Sequence, residues 1–221
     1  MTPGPTLIYC CSACEKNIAY RTINSGNNFG ARYWTDGKRD APMLPEEPWL
    51  IKCPHCDTFL WIDDLTQVGE IEHWYSEGND TDKFADVISA VKPSCLDYAY
   101  FNMDTVSDPQ KERYVRLQTW WAFNDCRRQS KEIPFSSMEI ENLYAFITLL
   151  DENDETDCIM KAEAYRELGE FAVAEKLLAM PFGDELKQAT EFIRNLNNNR
   201  ITSVTEMIFE YISLFITVVE S

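Results

Sequence analysis

Two C-x-x-C elements, Cys11-Ser-Ala-Cys14 and Cys53-Pro-His-Cys56, constrain this chain more than any other feature. A C-x-x-C pair forms a tight knuckle whose two thiolates converge on one point. Two knuckles supply four soft ligands in a tetrahedron, which suits Zn²⁺. Four thiolates also close the shell and leave no position for water, so the expected zinc is structural. Cys10 offers an alternative C-x₃-C spacing with Cys14, but the spacing of the second knuckle favours Cys11. His55 lies inside that second knuckle. The four cysteines already complete the shell, so it is expected to face solvent. A redox pair of the thioredoxin kind would need a βαβ context around one C-x-x-C and would not need the second.

Five of the eight cysteines fall in the first 56 residues. In a reducing compartment, cysteines clustered in this way read as ligands rather than disulfides. The N-terminus carries no positive n-region and no apolar h-region. No apolar run reaches the roughly 18 residues of a membrane span. The expected location is therefore the cytoplasm.

Strand-like runs flank each knuckle: Leu7-Ile8-Tyr9 before the first, Trp49-Leu50-Ile51 before the second and Phe59-Leu60-Trp61-Ile62 after it. On these residues and the Cys-Pro-His-Cys knuckle, positions 6–63 resemble a zinc ribbon. The long spacing between Cys14 and Cys53 departs from the short form of that fold, at an entropic cost that grows only logarithmically. The insertion concentrates Arg32, Tyr33, Trp34, Lys38 and Arg39. These residue types are enriched in binding hot spots, which makes the loop a candidate recognition surface. The competing expectation is that Phe29, Tyr33 and Trp34 cover the small ribbon core.

Charge separates head from body. Residues 1–63 hold six Lys+Arg against seven Asp+Glu, and the remaining 158 hold 14 against 30. A net charge of −17 opposes simple electrostatic binding to nucleic acid, which needs cations to displace counterions from phosphate. The expected division is a metal-binding domain at 1–63 and an acidic helical domain at 64–221, in a mostly α, α+β chain.

The body reads as helices. Pro109–Gln129 is expected as one helix, with Tyr114, Leu117 and Trp121 on one face and Trp120 and Phe123 widening the stripe. Ser136-Ser-Met-Glu139 is a capping box. Phe135 and Ile140 stand at the positions of a hydrophobic staple, and Ile140, Leu143, Tyr144, Ile147 and Leu150 form the expected buried face. The acids of Asp151–Asp157 lack the glycine and glutamate of a calcium loop and suit the start of a helix. Gly183–Asn197 gives a further helix with Leu186, Ala189, Ile193 and Leu196 inward.

Residues of about 155–181 resemble a tetratricopeptide repeat. Ala162 and Ala174 match its small positions, Tyr165 its aromatic position, Gly169 its turn and Phe171 the start of its second helix. Pro181 arrives early for such a repeat. With the Cys₄ head and the Thr119-Trp-Trp-Ala-Phe-Asn-Asp125 stretch, the chain resembles bacterial proteins that join a zinc ribbon to tetratricopeptide-like helices. That resemblance implies an architecture and no chemistry. The apolar segment 201–219 is expected to enter the core, cap the array or contact a second copy.

Enzymatic motifs are missing: no Walker loop, no G-x-S-x-G, no H-E-x-x-H and no dinucleotide fingerprint. His73, beside Glu70 and Glu72, is the one general-base candidate. The expected role is a protein–protein interaction module with a structural zinc. A nucleic-acid-associated ribbon factor and an unrecognised enzyme are the alternatives.

Overall fold

A computed structural model describes residues 1–72, 84, 86–101, 106–129 and 133–208. Over these residues the chain is mixed α+β, with strands first and helices after. The strands of the N-terminal half are β1 (Thr2–Cys10), β2 (Asn17–Ser25), β3 (Arg32–Trp34), β4 (Arg39–Asp40), β5 (Leu50–Lys52), β6 (Phe59–Trp61), β7 (Thr66–Ile71) and β8 (Ile88–Ser89). The helices are α1 (Cys95–Ala99), α2 (Pro109–Gln129), α3 (Ser137–Thr148), α4 (Glu155–Glu167), α5 (Phe171–Leu178) and α6 (Asp184–Asn198), followed by strand β9 (Glu206–Met207). Two compact units result: Met1–Ala31 with Asp40–Ser94, and Arg32–Arg39 with Cys95–Ser221.

In the first unit β1 is central. It pairs antiparallel with β2 on one side and with β7 on the other, and β8 adds to β2 in parallel. Successive strand residues point to opposite faces. Ile8 and Ala19 therefore pack with Phe84 on one face. Tyr9, Ile18 and Tyr20 pack on the other with Ile51 and Leu60 of the β5–β6 hairpin. A Cβ at Gly69 would lie 2.5 Å from the Phe84 ring, so the bare backbone there is what lets the ring lie on the sheet. Strand β7 begins beyond residue 63. It satisfies backbone groups along β1 that would otherwise lack partners, so this unit continues past the expected division as far as Ser94.

In the second unit α2 spans the expected residues, but its buried line differs. Val115, Gln118, Thr119, Trp120, Trp121, Asn124 and Arg127 are the buried residues, whereas Tyr114, Leu117 and Phe123 are only half-buried. Apolar periodicity misses this line because half of it is polar.

Helix α3 starts as expected. The Ser136 hydroxyl accepts from the Glu139 amide, and the Glu139 carboxylate accepts from the Ser136 amide at 2.8 Å. Leu143, Ile147 and Leu150 of the expected face are buried, and Glu139 and Phe146 join them in place of Ile140 and Tyr144. Ile140 and Tyr144 are exposed, while Phe135 lies beneath the Arg127 guanidinium at 3.9 Å. Ser136→Ala removes the cap acceptor and is expected to cost the helical unit about 1 kcal/mol. Urea denaturation followed at 222 nm measures it.

Helices α4 and α5 form a hairpin. Gly169 takes φ +81° at the turn, and Ala162 and Ala174 are fully buried where the helices meet. Helix α6 buries Ile193 and Leu196 as expected, and Leu186 and Ala189 are half-buried.

Candidate metal centre

The knuckles sit at the ends of β1 and β5 and close in the same way. The Glu15 amide donates to the Cys11 carbonyl at 2.9 Å, and the Asp57 amide to the Cys53 carbonyl at 2.9 Å. The Cys11 amide donates to the Lys16 carbonyl at 3.0 Å, and the Cys53 amide to the Thr58 carbonyl at 2.9 Å. Glu15 and Asp57, each one residue past its pair, have φ of 60° and 57°. This left-handed conformation is unfavourable for a side chain with a Cβ, and both knuckles adopt it at the same position.

This backbone brings Cys11, Cys14, Cys53 and Cys56 together, with all four Sγ atoms within 4.8 Å of one another. Two separations between the knuckles are Cys11 to Cys56 at 3.8 Å and Cys14 to Cys53 at 3.7 Å. A disulfide requires about 2.05 Å. A tetrahedral ion with metal–sulfur bonds of about 2.3 Å requires sulfur–sulfur edges of about 3.8 Å. The spacing fits thiolates sharing one ion, and the cluster can hold a metal. Among the described residues it is the one group of three or more His, Cys, Asp or Glu side chains so arranged.

The ligands differ in setting. Cys11 and Cys53 are fully buried, Cys14 is half-buried and Cys56 is exposed. Burial pushes the Cys53 thiol up to about 12. Bonds from the Thr58 hydroxyl, 3.3 Å from Sγ, and the Thr58 amide bring the Cys56 thiol down to about 6. An entering cation therefore meets a thiolate at Cys56 and must displace a proton at Cys53.

His55 stands outside the four-cysteine cluster and is half-buried. Its amide donates to Cys53 Sγ at 3.5 Å, and its ring Nε2 lies 3.3 Å from the Asn17 carbonyl oxygen. Cys10 stands outside the cluster, with Sγ 3.9 Å from the Cys11 carbonyl oxygen.

The candidate recognition residues belong to the second unit. Trp34 is buried between two guanidiniums, those of Arg32 and Arg128, each 4.8 Å from its ring centre. Arg32 also pairs with Glu206 at 2.7 Å, and Lys38 with Asp125 at 2.6 Å. Tyr33 and Arg39 are half-buried. Trp34 is thus core, but of the helical unit rather than of the strand-rich one. The loop's exposed aromatic is Phe29, at 84%. The Asp151–Asp157 acids serve α4: Asp154 caps it and Asp157 binds Arg113. His73 and residues 209–219 fall outside the described residues.

Sequence reasoning missed a second cluster. Asp36, Asn124, Glu163, Arg166 and Glu167 are almost wholly buried in the helical unit. No motif marks them. The available signal was the interleaving of Glu163, Arg166 and Glu167 with the inward alanines of α4.

A scan of protein-family models and searches of curated proteins and solved structures returned no match. Fold and site together define a mixed α+β chain whose strand-rich unit carries a four-cysteine cluster able to hold a metal. No helix among the described residues is long and apolar enough to cross a membrane.

Proposed function

We propose that the cluster holds one structural Zn²⁺ in a zinc-ribbon-like head, and that the helical unit, with its tetratricopeptide-like hairpin, is a protein–protein interaction module in the cytoplasm. The sulfur tetrahedron carries the metal half of this reading. Four thiolates saturate zinc and leave no site for a reacting water. The hairpin and the acidic composition support the interaction half, since a basic protein segment complements such a surface. Nucleic-acid binding is the weaker reading, because Arg32 and Lys38 are already paired with Glu206 and Asp125.

Elemental analysis of purified protein is expected to give roughly one zinc per chain. Cobalt substitution should produce the absorption of a tetrahedral thiolate site. A chain that retains no metal, or an octahedral cobalt spectrum, overturns the metal half. Turnover of a metabolite by protein that captures no protein partner overturns the interaction half.

A further inference from the structure

The helical unit buries three carboxylates around two guanidiniums, and each guanidinium already has its partner. Arg166 chelates Glu163, donating through Nε at 2.7 Å and through Nη2. Arg128 binds Asp36. Among the described residues, the hydrogen bonds to Glu167, 2% exposed, come from neutral donors: Trp120 Nε1 at 2.9 Å and Asn124 Nδ2 at 3.1 Å. The same Asn124 nitrogen donates to Asp36 at 2.9 Å. Its Oδ1 accepts from Arg127 at 3.4 Å, which fixes the amide's orientation.

The remaining charges facing this cluster are accounted for. From α2, Arg127 pairs with Glu139 of α3, and Asp125 takes both Lys38 of the 32–39 segment and Arg128. From the β9 strand, Glu206 pairs with Arg32. No cation is left over for Glu167 among these groups.

The cluster also fastens two distant stretches of chain to α2 and α4. Trp121 Nε1 donates to the Asp36 carbonyl at 2.9 Å, and Arg166 donates to the carbonyls of Ile201 and Ser203. The two stretches meet at Thr35 and Thr205, whose amides donate to the Thr205 carbonyl at 3.0 Å and the Thr35 hydroxyl at 3.1 Å.

We infer that Asp36, Asn124 and Glu167 form a proton-held latch, in which a neutral Glu167 keeps the 32–39 and 201–207 segments seated on the helices and its ionisation loosens them. An ionised Glu167 would put a third negative charge beside Asp36 and Glu163, and the nearby Arg166 guanidinium, already chelating Glu163, offsets it only in part. Burial, reinforced by those two carboxylates, holds the Glu167 carboxyl well above its ordinary value of 4.5.

The sign of the linkage follows. Below the ordinary value both folded and unfolded chains carry the proton, and the stabilising contribution is complete. As pH rises through the window up to the folded value, only the folded state keeps the proton. The folding equilibrium then weakens by up to about tenfold per pH unit.

Carboxyl ¹³C titration of the wild-type protein reads Glu167 directly. It should remain protonated well above the ordinary range, and the Thr35 and Thr205 amides should lose exchange protection over the same pH interval. Titration of Glu167 among the surface glutamates overturns the latch. In urea denaturation at 222 nm, Glu167→Gln should have a flatter pH dependence than wild type and a higher midpoint on the alkaline side. An unchanged slope also overturns it. If Glu167→Gln does not fold, the wild-type titration decides alone.

Discussion

Stripping the metal from the purified protein is expected to unfold the strand-rich unit while the helical signal at 222 nm survives. The reason lies in what that unit's core is made of. On the sheet face that meets the β5–β6 hairpin, two of the seven buried residues are the ligands Cys11 and Cys53, packed among Tyr9, Ile18, Tyr20, Ile51 and Leu60. Without an ion, four thiols face one another and the buried pair has only weak sulfur contacts. Structural zinc contributes an apparent ~10–16 kcal/mol in small domains, as large as the whole stability of a typical domain, about 5–15 kcal/mol. The left-handed residues Glu15 and Asp57 add strain that only the closed knuckles justify. Amide exchange should show β1, β2, β5 and β6 losing protection on chelation, with α2–α6 unchanged. Cys53→Ser should reproduce the loss, and Cys10→Ser, outside the cluster, should not. Because Cys53 must shed its proton, metal affinity should also rise with pH. A head that stays protected after complete metal removal would refute the assignment.

The four-cysteine cluster was legible in the sequence because C-x-x-C is a local signal. The knuckle geometry depends on only a few consecutive residues, and the flanking strands announce themselves by β-branched and aromatic runs. The capping box at Ser136 and the extent of α2 were legible for the same reason. The membership of residues 32–39 was not. Trp34 was expected to cover a ribbon core, yet it packs between Arg32 and Arg128 in the helical unit, and nothing local to the loop encodes that. The polar line of α2 was equally hidden. Asn124 and Arg127 are inward because carboxylates from distant segments meet them there. Apolar periodicity is blind to a core that is satisfied by hydrogen bonds instead of by hydrocarbon. Exposure of Ile140 and Tyr144 is the other side of the same effect, since Glu139 turns inward to Arg127 and rotates the buried face of α3 toward Phe146.

Replacing Arg166 with methionine should be among the most damaging single changes in the helical unit. Arg166 and Glu163 are both fully buried. Taking the guanidinium away leaves Glu163 as an uncompensated charge beside Asp36 and Glu167, and breaking a buried pair in this way costs about 3–5 kcal/mol. Exposed pairs such as Arg32–Glu206 offer a contrast, because solvent screening leaves them worth about 0–1 kcal/mol. Arg32→Met should therefore be nearly silent in thermal denaturation. The double variant Arg166→Met with Glu163→Leu removes both charges and should recover most of the loss, as apolar replacements of buried pairs commonly do. Recovery should stop short of wild type. Arg166 also donates to the carbonyls of Ile201 and Ser203, and a buried acceptor left without its donor costs about 1–3 kcal/mol. The residual deficit measures what the guanidinium does for the 201–207 segment apart from its ion pair. Full recovery would show that those carbonyls find other partners. No recovery would show that the pair's charges are not the source of the loss.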